Sequence, residues 1–248
     1  MVKRICLWSG PRNVSTALMY SFSQRLDTYV LDEPLYAHYL HISKAKHPGA
    51  KEVLAAMEND GHRVVEQVIL GNCDRPVFFM KQMAHHLVEI DRNFMAKVFN
   101  VLLIRDPADV LRSLVNQIPT PVIKDVGIAD QYQLLKELEA LGQTPPVIDA
   151  KELLQNPGYV LSQLCQRIGI PFEDSMLSWP VGGCDADGVW AKYWYHNVHK
   201  SSGFQPYREK SGPFPDRLLA LLEECHPYYQ ELYSLAIRAS ESMSILQN

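Results

Sequence analysis

Gly10, Pro11, Arg12, Asn13, Val14, Ser15 and Thr16 form a turn between a short apolar run, residues 5–8, and a segment with helical spacing, residues 15–26. A strand-to-helix turn has a chemical use. The first N–H groups of the helix lack intrahelical partners and its dipole end is positive, so an anion placed there is held by backbone donors. Gly10 lets the backbone approach closely, Pro11 stiffens the turn, and Arg12 adds a fixed charge with a planar donor fork. Ser15 and Thr16 add hydroxyls near the helix start. A nucleotide triphosphatase loop would end in Gly-Lys-Ser/Thr. Val14, Ser15 and Thr16 fill those three places here, so the lysine that ATP hydrolysis relies on is missing. An ordinary strand–helix connection carrying a surface arginine is the competing reading of this turn taken alone.

A second group lies in VLLIRDPADVLRSLV, where Arg105 closes a hydrophobic run and Ser113 follows two helical turns later. Ligands of parallel sheets collect at the carboxyl ends of strands, so both side chains could meet a second anion there. The alternative is a surface ion pair of Arg105 with Asp106 or Asp109. Glu33 follows the run at residues 29–31 and so belongs to the same sheet edge as the Arg12 turn. A carboxylate in a closed pocket gains basicity, which makes Glu33 a candidate general base. Against this, Asp32 or Glu33 could simply cap a turn ahead of Pro34. His85 and His86 follow the third apolar run and offer a rival base, ranked below Glu33, while His38, His41 and His47 could line an acceptor pocket. Lys81 ends the run VFFMK at that edge; taken alone, it is a solvated lysine at a strand end or a charge stabiliser.

The elements that must position these residues alternate. Strand-like runs fall at residues 5–8, 29–31, 77–80, 98–104 and 146–148, with helical segments at 15–26, 50–59, 106–115 and 129–141. The helix at 15–26 offers Ala17, Leu18, Phe22 and Leu26 as a buried face. Apolar strands alternating with helices predict an α/β domain with a mainly parallel sheet. Residues 182–215 are rich in Gly, aromatics, His and Lys with little periodicity, and read as a long ordered loop or lid. Within it, Trp190 and Trp194 are four apart and suit either core packing or a wall for a flat ligand. Ser201, Ser202 and Gly203 form a donor-rich turn. A last helix starts near Pro215-Asp216, with Leu218, Leu219, Leu222, Cys225, Tyr229 and Leu232 as a packing stripe.

Strand–Ser-Gly-Pro-Arg-x-x-Ser-Thr–helix, followed by strand–Arg-Asp-Pro and then Ser113, resembles the sulfotransferases. The likeness continues in VIDAKELLQNPGYVLSQLCQRIGIPFED and covers most of the chain in order. It implies a three-layer α/β/α domain with a mainly parallel central sheet, the P-loop NTPase-like sulfotransferase fold, over residues 1–248 as one unit. It further implies that residues 10–16 hold the 5′ end of 3′-phosphoadenosine 5′-phosphosulfate (PAPS) and that Arg105 and Ser113 hold its 3′-phosphate. Glu33 corresponds to the glutamate that deprotonates the acceptor in carbohydrate-type members, with Arg12 and Lys81 neutralising charge on the transferred group. The acceptor so implied is a small molecule or a carbohydrate. Many cytosolic members carry Lys where Arg12 stands and Gly where Val14 stands, and the Pro-Arg form is closer to bacterial and carbohydrate-type members. The Arg-Lys-Gly segment that many members place over the 3′-phosphate has two candidate counterparts. KSSGF at 200–204 is preferred, with Ser201, Ser202 and Gly203 as its contacts, over REKSG at 208–212. A small-molecule kinase using ATP, or a binder that kept the fold without activity, are the alternatives.

Bulk composition is compatible with this. The chain has 248 residues, 47% hydrophobic, long enough for a core without disulfides or structural metal. A net charge of −4 argues against a nucleic-acid binder. Five cysteines with no Cys-x-x-Cys signal neither a disulfide framework nor a zinc site. No run reaches the ~18–20 apolar residues of a membrane span. Residues 2–8 already read as a buried strand, so a cytoplasmic protein without a secretory leader is expected.

Overall fold

The computed structural model describes residues 2–240. Six strands form one sheet: β1 (Lys3–Ser9), β2 (Thr28–Asp32), β3 (Val77–Met83), β4 (Phe99–Ile104), β5 (Val147–Asp149) and β6 (Ala236–Ile237). Their spatial order is β2-β3-β1-β4-β5-β6, and every neighbouring pair is parallel. Parallel strands need crossover connections, and these supply helices to both faces.

Alternation along the strands decides which helix packs where. On β1, Ile5 and Leu7 face one layer while Cys6 and Trp8 face the other. The first layer holds α1 (Ser15–Ser23) and α5 (Pro157–Ile168). The opposite layer holds α3 (Pro107–Leu114), α4 (Ile128–Ala140) and α6 (Leu219–Ser234). This is the three-layer α/β/α arrangement expected from the sequence. A smaller cluster joins α2 (Tyr36–Ser43) to Val53, Trp190, Ala191 and Tyr195, and so docks the 182–215 segment beside α2. Phe22 of α1 stacks on Phe79 of β3 with ring centroids 4.1 Å apart, fixing the turn before α1 relative to the strand that carries Lys81. No helix of the described residues is long and apolar enough to cross a membrane.

Several boundaries differ from the sequence reading. Helix α1 ends at Ser23 and leaves Leu26 87% exposed, so Leu26 is not part of the buried face. The reason is Arg25, buried just after the helix. Its guanidinium bonds Asp27, Thr28 and the Pro171 carbonyl, which holds the chain in a turn toward β2. Strand β3 runs three residues beyond Met80, so Lys81 lies inside it, in register with Asp32 of β2 and Leu7 of β1. Leu219 is 44% exposed and falls off the packing stripe of α6. Residues 182–215 are an ordered segment with a short helix, Ala191–Trp194, and an isolated bridge between Ser178 and Gly203.

Candidate active site

The strand order reverses about β1: β3 pairs on one side and β4 on the other. The carboxyl ends of β1 and β4 therefore flank a crevice of the kind in which parallel sheets bind ligands. Two side chains span it. Gln131 donates to the carbonyls of Leu103 and Trp8, and Asn13 donates to the Leu103 carbonyl at 2.9 Å. A Cβ on Gly10 would stand 3.0 Å from Gln131 Oε1 and 3.3 Å from the Val126 carbonyl, so a larger residue there would press on the Gln131 bridge. No side chain caps α1, so its first-turn N–H groups have no side-chain partner among the described residues.

Arg12 adopts a left-handed backbone, with φ of 56°. Its Nε donates to Ser113 Oγ at 2.9 Å, and its carbonyl accepts from Arg105 at 2.7 Å. The two motifs recognised separately in the sequence thus meet at one point. Arg105 also pairs with Asp109 at 3.6 Å, as the surface reading had it, and Arg105 itself lines the cavity described next. Lys210 donates to the Asp109 carbonyl at 2.8 Å. Burial and then the neighbouring Arg105 charge lower the pKa of Arg12, and burial and Arg105 likewise lower Lys210. Cations that repel one another in a partly desolvated place are set up for a multivalent anion.

One cavity of about 670 Å³ takes in these groups and a second, more buried cluster. At its centre the Lys81 ammonium, 2% exposed, donates to Asp32 Oδ1 at 2.8 Å, to Tyr195 Oη at 2.7 Å and to Glu33 Oε1. Those three bonds use all three of its hydrogens. Burial alone would lower its pKa, but Asp32, Glu33 and Tyr195 outweigh burial and hold it well above the usual lysine range. Glu33 has φ of 39°, and its own N–H is held by the Lys81 carbonyl at 2.8 Å. Its carboxyl is raised above the ordinary value, by burial first and then Asp32, with Lys81 opposing. Glu33 Oε2 accepts no hydrogen bond among the described residues and stands 4.0 Å from His86 Nδ1.

Rings wall the cavity beyond Glu33. His86 stacks on Tyr36 and Tyr39, His85 stands edge-on to Tyr39, and Tyr36 bonds His47 at 2.8 Å. Burial lowers the pKa of all three histidines, His85 to about 4 and His86 well below its usual value, with His85 and Lys81 adding to the effect on His86. Neutral imidazoles at physiological pH follow. His38 is spent on structure, bonding the Val88 carbonyl at 2.8 Å, and His41 is exposed on α2.

Residues 10–16, Glu33, Lys81, Arg105, Ser113, Ser201 and Gly203 all line this one cavity, as do His85, Trp190 and Trp194. Ser202 does not line it; its carbonyl accepts from the Trp179 N–H. Ser201 Oγ is occupied by Trp179 and the Val198 carbonyl. From the second late segment, Lys210 reaches the arginines. Arg12 sits with Ser113 and Arg105, whereas Lys81 is enclosed by Asp32, Glu33 and Tyr195. Sequence reasoning missed Asp32 and Tyr195 as partners of Lys81. The Asp-Glu pair ending a strand was a signal for the first. Nothing short of the fold signals the second, which lies 114 residues from Lys81.

Comparison with known proteins bears on the family and the fold. Residues 3–236 match the family model described as "Sulfotransferase domain". Two Arabidopsis thaliana proteins, branched-chain-amino-acid aminotransferase-like proteins 1 and 2, are each 38% identical, over 238 and 226 residues. The alignments take in 96% and 91% of this chain but 43% and 40% of the plant proteins, so the chain spans about two fifths of their length. Among solved structures, a sulfotransferase from Alicyclobacillus acidocaldarius superposes with a TM-score of 0.53 at 14% identity, covering 96% of this chain and 97% of its own. The sulfotransferase domain of the curacin biosynthetic pathway gives 0.51 at 16% identity, covering 94% and 98%. At such identities the likeness is one of fold. With the family model spanning nearly the whole chain, the parallel six-stranded sheet and the cavity at its carboxyl edge belong to a member of the sulfotransferase-domain family.

Proposed function

We propose that the chain transfers a sulfuryl group from PAPS to a hydroxyl, or an amine, of a small-molecule or carbohydrate acceptor. The observation that carries this reading is the 2.9 Å bond between Arg12 and Ser113, with Arg105 on the Arg12 carbonyl. It gathers a bare helix N-terminus, two guanidiniums and a hydroxyl at one place, a donor set suited to a nucleotide bearing phosphates at both ends. The cavity volume lies inside the ~300–1,000 Å³ range of small-molecule sites.

When bound, PAPS would supply the sulfuryl group, displaced in line with adenosine 3′,5′-bisphosphate as the leaving group. Residues 10–16 would hold the 5′ side through the amides opening α1. Arg105, Ser113 and Lys210 would hold the 3′-phosphate, with Ser201 and Gly203 on the adjoining wall. Arg12 stands on the boundary of the two and serves either. Glu33 Oε2 would take the acceptor proton. Its raised pKa suits a base, while His85, held to about 4, is the poorer one. Lys81 fixes the other carboxylate oxygen, and would have to release one of its three bonds to touch the transferred group. The rings of Tyr36, Tyr39, His47 and Trp194 would receive the acceptor. Free thiols at all five cysteines suit a reducing compartment such as the cytoplasm.

Thermal denaturation tests the donor. Adenosine 3′,5′-bisphosphate at about 100 times its Kd stabilises the native state by about 2.7 kcal/mol, a readable shift in Tm. Stabilisation by ADP with magnesium and none by the bisphosphate would replace this reading with that of a kinase.

A further inference from the structure

Tyr195 belongs to the late segment, yet its hydroxyl lies among the groups that surround Lys81. It accepts from Lys81 Nζ at 2.7 Å and from Trp190 Nε1 at 3.1 Å, and it lies 2.7 Å from Asp32 Oδ2. An ammonium and an indole N–H can only donate. Both lone pairs of the phenol oxygen are therefore taken, and its single proton has one direction left, toward Asp32. The phenol closes a ring of bonds in which Asp32 accepts from both Lys81 and Tyr195, and Lys81 in turn grips Glu33. The hydrogens of Lys81 and Tyr195 are fully committed, and each Asp32 oxygen accepts one bond. Glu33 lines the cavity, and its Oε2 accepts no hydrogen bond among the described residues.

We infer that Tyr195 is a positioning residue for the transfer reaction: by pinning Asp32 and Lys81 together it holds the lysine against Glu33 and keeps that carboxylate aimed and ionisable. The inference rests on the reading of Glu33 as the base. It also ties the base to the donor end. The segment that brings Tyr195 to Lys81 continues through Ser201 and Gly203 to Lys210 beside Arg105. Displacing that segment would therefore loosen the lysine.

The groups facing Glu33 are Asp32 from β2, Lys81 from β3, His86 from the turn after it, and Tyr36 from α2. Of these, Asp32 raises the Glu33 pKa and Lys81 lowers it. Tyr195→Phe keeps the ring and deletes the hydroxyl. With Lys81 less firmly held, Glu33 should titrate at higher pH, and the acid limb of kcat/KM should move up with it. kcat should fall by about 10²-fold, the effect of a small misplacement in a site, while KM for PAPS changes less than about twofold. Asp32→Asn removes the charge that raises Glu33 and should move the same titration down. Shifts of opposite sign do not arise from lost packing.

The titration is read by carbon NMR of ¹³Cδ-labelled glutamate in the ligand-free protein, with Glu33→Gln assigning the signal. A wild-type protein that transfers no sulfuryl group sinks the function reading and leaves this measurement intact. A Glu33 signal that stays in place or moves down in folded Tyr195→Phe overturns the inference. If Tyr195→Phe does not fold, an unmoved signal in Asp32→Asn overturns it.

Discussion

Ser113→Ala gives a sharp test of the proposed donor site, because the structure shows one use for the hydroxyl and leaves its proton for a second. Ser113 Oγ accepts from Arg12 Nε at 2.9 Å, while its own proton goes to no acceptor among the described residues. In the free protein the variant loses one half-buried bond to a charged group, worth about 1–1.5 kcal/mol at the exposed end of the range, so the fold should survive. In the proposed nucleotide complex it would also lose a hydroxyl–phosphate bond, together with the restraint on Arg12. Hydrogen bonds to charged groups contribute about 1.5–3 kcal/mol, and partial exposure of Ser113 favours the lower end. A loss of about 1–2 kcal/mol corresponds to roughly 5- to 30-fold in Kd. Calorimetric titration with adenosine 3′,5′-bisphosphate measures it, with AMP as the control that lacks a 3′-phosphate. The affinity for AMP should stay nearly constant. A change below about twofold for the bisphosphate, or an equal loss for both ligands, would refute the placing of Ser113 at the 3′-phosphate.

Glu33→Gln should lower kcat by about 10²- to 10⁴-fold and leave bisphosphate affinity within about twofold; undiminished turnover would move the role of base to His85 or His86. Because burial raises the Glu33 carboxyl above its reference value of 4.5, wild-type kcat/KM should climb with pH above the ordinary glutamate range, and the variant's profile should lose that limb. Asp149 concerns stability alone. Burial raises its pKa from 3.8 to about 6 against the bonds from Glu152, Tyr229 and Lys151. A carboxyl raised in the folded state contributes stability that is full below 3.8 and is lost as pH rises through about 6. Asp149→Asn, which can still cap the following helix, should therefore raise Tm at pH 7.5, with the gain shrinking toward pH 4. A gain that grows on acidification would show the sign to be wrong.

The sheet was legible because its inner strands are buried on both faces and read as continuous apolar runs, as at residues 99–104. Strand β6 was not, since two residues show no periodicity and the strand exists only through its pairing with β5. The turn at residues 10–16 and Arg105 were legible as local chemistry, being strand ends followed by helix-start signals. Their mutual bonds required the reversal of strand order about β1. Lys81 was seen, but its environment was not. Its partner Asp32 comes from parallel register, and Tyr195 from a segment whose own sequence lacks a period. The same lack of pattern left the two late segments undecided, and only tertiary placement shows Lys210 beside the arginines while Ser202 points its backbone at Trp179.

Arg12 and Glu33 are two of only four non-glycine positions with positive φ among the described residues. Each such backbone costs on the order of 1 kcal/mol relative to glycine. A selection for heat resistance would accordingly find Arg12→Gly and Glu33→Gly attractive, since either relaxes the main chain. Both would discard a side chain that the proposed reaction uses. Libraries screened for melting temperature alone should accumulate hardy, inert proteins with changes at these two codons, and any engineering of this chain needs a turnover screen run in parallel.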